Sequence, residues 1–152
     1  MRGIEADGGK TSLTAVGAAV FRAAHLVLDD DPKVFEDPFA FALSGASGLL
    51  KEHANTVLTR FVARLGTEAG PRVFRYLRAL TVMRSRYAED ELYLAIGRGL
   101  TRYVILGAGL DSFAYRHPGL TSSAQVLEVD HPVIQKWKKE RLLELRLHQP
   151  SN

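Results

Sequence analysis

The chain has 152 residues, of which 46% are hydrophobic and 24% charged, as expected for one globular domain. It contains no cysteine, which excludes a disulfide framework and any thiolate metal site or nucleophile. No run of about 18 apolar residues predicts a membrane span, and no basic region followed by an apolar core predicts a secretory signal. We therefore expect a cytoplasmic protein without a membrane partner.

The first hundred residues are predicted to be mainly helical. Residues 1–10 carry three glycines and alternating charges, which predicts a disordered leader. Apolar residues at steps of three and four then predict a helix from residue 11 or 12 to about residue 28. Asp37 and Pro38 are predicted to start a short helix, and residues 49–65 form a further amphipathic pattern. We interpret residues 11–100 as a helical cap region.

Two consecutive helices are predicted before the first strand. Pro71 suits the first turn of a helix that runs to about residue 83. A second helix is predicted from there to about residue 96, with the boundary near Arg84. Gly97 and Gly99 are predicted to end it.

The pattern that follows is typical of a nucleotide-binding α/β half. A short apolar strand at residues 103–106 stops at Gly107 and Gly109, and a second strand at residues 125–130 ends in acids 21 and 23 positions after Gly107. A carboxylate there suits the two hydroxyl donors of a ribose. Ser112 stands where a dinucleotide pattern has its third glycine, which favours a ligand with ribose and adenine but no phosphates.

A last helix is predicted from Pro132 to about residue 148. Its basic residues are interrupted by Glu140 and Glu144 at helical spacing. The net charge of the chain is only +3. Both observations favour a solvated helix face over a nucleic-acid contact.

Several of these segments resemble S-adenosylmethionine-dependent methyltransferases of the leucine carboxyl methyltransferase-like group, whose bacterial members are often described as polyketide O-methyltransferases. The resemblance runs from about Thr14 to the end of the chain. It is carried by V-I-L-G-A-G-L-D-S at residues 104–112, A-Y-R at 114–116, L-E-V-D-H-P-V at 127–133, F-E-D-P-F-A at 35–40, and R-S-R-Y at 84–87 followed by Glu89 and Asp90.

The resemblance implies a doubly wound, Rossmann-like α/β sheet preceded by helices. Similar enzymes are roughly twice as long, so we expect an N-terminal half in which residues 101–152 start an incomplete cofactor-binding domain. An apparently truncated sheet leaves a strand edge unpaired, where an oligomer could form. We expect this half alone to be weakly active or inactive.

The resemblance also assigns cofactor contacts. The bare backbone of Gly107, Ala108 and Gly109 would approach the methionyl and ribose groups of S-adenosylmethionine, and Asp130 would accept the ribose hydroxyls. Glu128 is a second candidate on the same face of the strand. The alternative for Glu128 is a polar residue that anchors a buried loop.

Three further residues have two interpretations each. Arg84 would pair with the methionine carboxylate of the cofactor, or it forms a salt bridge with Glu89 or Asp90. Arg22 would reach the same carboxylate, or it is a surface or partly buried polar side chain. Asp111 would hold a water or a backbone amide near the cofactor amine, or it caps a helix.

The predicted reaction is methyl transfer to a carboxylate or hydroxyl oxygen of a small molecule or a protein. A carboxylate acceptor needs no base, whereas a phenol or alcohol gains from one, so the absence of an obvious catalytic residue does not exclude the reaction. Two alternatives remain open from the sequence. One is half of a nicotinamide-binding oxidoreductase, and the other is a non-catalytic fragment that folds with another chain.

Overall fold

The computed structural model describes residues 13–45, 70–120 and 123–147. Within these ranges the chain forms helices followed by a small parallel sheet, as predicted. The elements are α1 (Leu13–Leu28), α2 (Ala40–Leu43), α3 (Gly70–Gly97), β1 (Arg102–Leu106), α4 (Phe113–Arg116), β2 (Gln125–Val129) and α5 (Pro132–Glu144). The predicted leader and the amphipathic pattern at residues 49–65 lie outside the described residues. None of the described helices is both long and apolar enough to cross a membrane.

The two strands pair in parallel, in a register that sets Arg102 opposite Gln125 and Leu106 opposite Val129. β2 ends at Val129, one residue earlier than predicted, so Asp130 already lies in the connection to α5. One face of the sheet is apolar and 40–77% exposed, namely Val104, Leu106, Leu127 and Val129. The carboxyl ends of both strands point to the same edge, where the loop after β1 begins.

A buried core joins the first helices to the loop after β1 and to α5. Its members are Ala19 of α1, Leu43 of α2, Leu110 of the loop and Leu142 of α5. A second cluster packs α1 on α3, with the rings of Phe21 and Phe74 5.1 Å apart. The apolar stripe of α1 therefore contacts both α3 and the loop.

The predicted break near Arg84 is wrong, because α3 is one continuous helix of 28 residues. No glycine or proline occurs between Pro71 and Gly97 to interrupt it. Pro71 sits at the second helical position, where its missing N–H removes no helical hydrogen bond. Arg86 and Asp90 form an ion pair of 2.8 Å at i, i+4 spacing just after the predicted break, which supports the helix there.

The end of α1 is tied to α3 by Asp29, His25 and Arg78, which we call the Asp29 cluster. His25 Nδ1 donates to Asp29 Oδ2 at 2.6 Å, and Arg78 Nε donates to the same oxygen at 2.9 Å. Partial burial alone would raise the pKa of Asp29, but the hydrogen bonds from Arg78 and His25 outweigh it and hold the pKa below its ordinary value. The cluster is therefore an interhelical anchor.

Candidate functional site

A cavity of about 480 Å³ lies where β1 ends, between α1, α3 and the loop of residues 107–111, which we call the glycine loop. Its walls bring together seven of the eight predicted cofactor contacts: Arg22, Arg84, Gly107, Ala108, Gly109, Asp111 and Asp130. Its volume lies within the range of about 300–1,000 Å³ that is typical of small-molecule sites.

The glycine loop has the backbone conformation that only glycine adopts readily. Gly107 and Gly109 have φ angles of 64° and 52°, in the left-handed region. A Cβ on Gly107 would meet no atom within 4 Å, whereas a Cβ on Gly109 would lie 3.0 Å from the Cβ of Ala15 on α1. Gly107 thus leaves open space beside the cavity, and Gly109 allows the loop to approach α1 closely.

Asp130 joins the glycine loop to the start of α5. Its Oδ2 accepts from the backbone N–H of Gly109 at 2.5 Å, and its Oδ1 accepts from the N–H of His131 at 2.6 Å. A carboxylate offers about four lone-pair sites, so both oxygens can accept further hydrogen bonds from a ligand in the cavity.

Arg22 is buried, whereas one of its two interpretations expected a surface or partly buried side chain, and it also lines the cavity. Its Nε donates to Asp37 Oδ2 at 2.8 Å, and its Nη2 donates to the carbonyl oxygen of Leu110 at 2.7 Å. The second contact ties α1 directly to the glycine loop. The guanidinium is therefore both a structural link and part of the cavity wall.

Arg84 lies on α3, is exposed, and lines the cavity. The predicted salt bridge to Glu89 or Asp90 does not form, because Glu89 pairs with Arg116 and Asp90 pairs with Arg86. Arg84 has no ion-pair partner among the described residues. A guanidinium in a cavity wall that is not held in an ion pair is suited to a carboxylate of a ligand.

Asp111 performs the capping role that was one of its two predicted interpretations. Its Oδ1 accepts from the backbone N–H of Phe113 at 2.8 Å, at the start of α4. It also lines the cavity, so the same carboxylate places a negative charge near a ligand there.

Glu128 is the one predicted contact that does not line the cavity. Its Oε2 accepts from Lys138 Nζ at 2.6 Å, which fixes it against α5. Burial, followed by the negative charge of Glu128, raises the pKa of Tyr115 to about 12. Alternation of side chains along a strand places Glu128 and Asp130 on the same face only if both residues lie in the strand. Because β2 ends before Asp130, this alternation does not apply to the pair. The ion pair anchors Glu128 to a helix, whereas the alternative interpretation expected it to anchor a buried loop.

Sequence reasoning missed two parts of this region. Asp37, predicted only as a helix cap, is fully buried beside Arg22. Small residues of α1 line the cavity, namely Thr14, Ala15 and Ala18. Their small size on one face of a helix was a usable signal, because small side chains leave room for a ligand. The pairing of Asp37 with Arg22 spans 15 residues and left no local pattern.

His117, which follows α4, belongs to a half-buried network of side chains. Its Nδ1 lies 3.1 Å from the hydroxyl of Tyr93, and its Nε2 lies 3.1 Å from Arg116 Nη1. Nε2 also lies 3.2 Å from Glu89 Oε2, so the imidazole contacts both partners of the ion pair between Arg116 and Glu89. Burial would lower the pKa of Arg116, but its hydrogen bonds to Glu89 outweigh that effect and raise the pKa. This network lines a second cavity of about 300 Å³ on another face of α3.

Comparison with known proteins identifies a family. Residues 15–152 match the sequence model of the family described as leucine carboxyl methyltransferase. The chain belongs to this family. The resemblance noted in the sequence motifs is thereby confirmed over most of the chain.

Curated bacterial relatives carry related names. YktD of Bacillus subtilis (strain 168), provisionally named an S-adenosyl-L-methionine-dependent methyltransferase, is 31% identical over 94% of this chain and 50% of its own length. A protein of Mycobacteroides abscessus with the same provisional activity is 34% identical over 85% of this chain and 40% of its own length. One from Mycolicibacterium smegmatis is 33% identical over 84% of this chain and 42% of its own length. The chain thus spans about half the length of these relatives.

Proposed function

We propose that this chain provides the S-adenosylmethionine-binding part of an O-methyltransferase that acts on a carboxylate or hydroxyl oxygen of a small molecule or a protein. The observation that carries the proposal is the cavity at the end of β1, whose wall combines the two glycines, the acids Asp111 and Asp130, and Arg84. Membership of the family and the names of the relatives support the same ligand.

Three side chains of the cavity wall are chemically suited to polar groups of S-adenosylmethionine. Arg84, exposed and without an ion-pair partner among the described residues, matches a carboxylate. Asp111 matches the amine of the same amino-acid group, and Asp130 matches the ribose hydroxyls. The open space beside Gly107 allows a ligand to approach the backbone closely.

The residues of this chain contribute binding and orientation to the reaction. When bound, S-adenosylmethionine would supply a methyl group on a positively charged sulfur: the acceptor oxygen would bond to the methyl carbon in line as the C–S bond breaks, and the electrons of that bond would pass to the departing sulfur. The contribution of the glycine loop, Arg84 and Asp130 is to hold the donor in one position, which removes orientational freedom before the acceptor attacks. A carboxylate acceptor then requires no proton transfer.

The nicotinamide alternative is disfavoured by the region around Ser112. This side chain is buried, and its Oγ accepts from Arg116 Nε at 2.9 Å. The helix that follows has only four residues, so it offers little of the dipole that a dinucleotide pyrophosphate uses. A ligand without phosphates fits this loop better.

Calorimetric titration with S-adenosylhomocysteine tests the proposal. We expect binding in the micromolar range, strong weakening in Asp130→Ala, and no competition from NAD. Asp90→Ala is a matched control, because it also removes a carboxylate but one that lies outside this cavity. Absence of binding in a chain that circular dichroism shows to be folded would contradict the proposal and favour the non-catalytic fragment.

A further inference from the structure

Asp37 is a buried acid, and its role as a cap of α2 does not explain why an acid rather than a neutral residue stands there. Its side chain is 0% exposed. Its Oδ1 accepts from the backbone N–H groups of Phe39 and Ala40 at 3.1 and 3.0 Å, which supports the start of α2. Its Oδ2 accepts from Arg22. A neutral residue could cap α2 equally well, so the buried charge points to Arg22 as the reason for an acid here.

The contacts of Arg22 fix the plane and the direction of its guanidinium. Nε is held by Asp37, and Nη2 is held by the carbonyl oxygen of Leu110 in the glycine loop. A guanidinium is planar and rigid, so two fixed nitrogens determine where the third one points. Nη1 has no hydrogen-bond partner among the described residues, and the residue lines the cavity. The remaining donor is thus the one available to a ligand.

We propose that Asp37 is a positioning residue of this site: it orients Arg22 so that Nη1 donates to the amino-acid carboxylate of the ligand while Nη2 holds the glycine loop. This inference rests on the proposed function, because it assumes a ligand with such a carboxylate. Arg116 Nε lies 3.9 Å from Asp37 Oδ1, so a second cation balances the buried charge. Arg84 then approaches the same carboxylate from α3.

The test compares two ligands that differ only in the carboxylate. S-adenosylhomocysteine carries it, and S-adenosyl-3-thiopropylamine keeps the adenosine, sulfur and amine but lacks it. Asp37→Asn preserves shape and capping but removes the charge that orients Arg22. We expect it to weaken binding of S-adenosylhomocysteine by roughly 10- to 100-fold, as for loss of a hydrogen bond between charged groups. Binding of S-adenosyl-3-thiopropylamine should change by less than about twofold.

The control is Asp90→Asn, which disrupts the exposed ion pair with Arg86 and should alter neither affinity. Equal losses for both ligands in Asp37→Asn would show that Asp37 only supports the fold, and no loss for either would show that Arg22 needs no orientation. If the wild-type chain binds both ligands equally, the proposed function stands but the inference fails. If it binds neither, both fail.

A second measurement uses the wild-type chain, in case Asp37→Asn does not fold. In a ¹⁵N-labelled sample, the Nε–H of Arg22 should exchange slowly with solvent because it is buried against Asp37. Its resonance should shift on addition of S-adenosylhomocysteine and stay in place on addition of S-adenosyl-3-thiopropylamine. A rapidly exchanging Nε–H, or equal shifts with both ligands, would overturn the inference.

Discussion

Replacement of Glu128 by glutamine tests whether this residue anchors the fold through Lys138 or contacts the ligand. The side chain of Lys138 is 4% exposed and that of Glu128 is 22% exposed, and their charged atoms are 2.6 Å apart. Glutamine keeps the shape of Glu128 but leaves the ammonium of Lys138 buried without a counter-charge. We expect Glu128→Gln to destabilise the fold and to leave affinity for S-adenosylhomocysteine unchanged.

The magnitude follows from the burial of the pair. Removal of one partner from a fully buried ion pair costs about 3–5 kcal/mol, and the partial exposure of Glu128 places this pair near about 3 kcal/mol. For a domain of about 150 residues, that corresponds to a lowering of Tm by roughly 6–12 °C. The double variant Glu128→Gln with Lys138→Met should recover part of the loss, because it also removes the buried charge.

Thermal denaturation and calorimetric titration at a temperature well below both transitions provide the two measurements. Asp130→Ala is the comparison variant, for which we expect the larger effect on affinity. If Glu128→Gln weakens S-adenosylhomocysteine binding as strongly as Asp130→Ala does, Glu128 contacts the ligand and the placement argued from its ion pair with Lys138 is wrong.

Three further changes have distinct expected outcomes. Arg84→Gln should change the free energy of unfolding by no more than about 0.5 kcal/mol and weaken S-adenosylhomocysteine binding roughly 10- to 100-fold. Arg86→Gln is the control and should leave the affinity measured by calorimetric titration unchanged. Equal losses of affinity in the two variants would reject Arg84 as a ligand contact. Gly109→Ala should lower the free energy of unfolding by about 2 kcal/mol or more in chemical denaturation, because Gly109 has a left-handed φ and the new Cβ would lie 3.0 Å from the Cβ of Ala15. The double variant Gly109→Ala with Ala15→Gly should be no less stable than Gly109→Ala alone, because it removes that close contact. Because the pKa of Asp29 is lowered in the folded state, its contribution to stability is present above its ordinary pKa of 3.8 and is lost as the pH falls through the folded value. Asp29→Asn should therefore make the fall in Tm below about pH 4 less steep. An unchanged profile of Tm against pH would show that the Asp29 cluster does not stabilise the fold.

The parts of the fold that could be predicted are those that a local pattern determines. The strand at residues 103–106 and the glycines after it form a pattern within ten residues, and the sheet confirms both strands as parallel. Two helices with a boundary near Arg84 were predicted, but helix continuity depends on the absence of glycine and proline up to Gly97. The continuous sequence from Pro71 to Gly97 therefore forms one helix.

The site was only partly predictable because its contacts join distant segments. Arg22 is 15 residues from Asp37 and 88 residues from Leu110, the two partners that fix it. Neither pairing leaves a periodic signal in the sequence. Glu128 was grouped with Asp130 because alternate residues of a strand lie on the same face. The structure shows that β2 ends at Val129, so this alternation does not extend to Asp130.

The position of the glycine loop depends on α1 as well as on the sheet, where Gly107 and Ala108 donate to the carbonyl oxygen of Val129. The described sheet has two strands of five residues each, and two strands alone are marginally stable. The loop gains additional support from its close approach to Ala15 at Gly109 and from the hydrogen bond that Arg22 donates to the carbonyl oxygen of Leu110. Both partners belong to α1. A ligand that binds the loop and Arg22 together would therefore bind only when α1 is docked. By mass action it would stabilise the docked state, and the stabilising free energy would rise with the logarithm of the ratio of ligand concentration to Kd once that ratio is large.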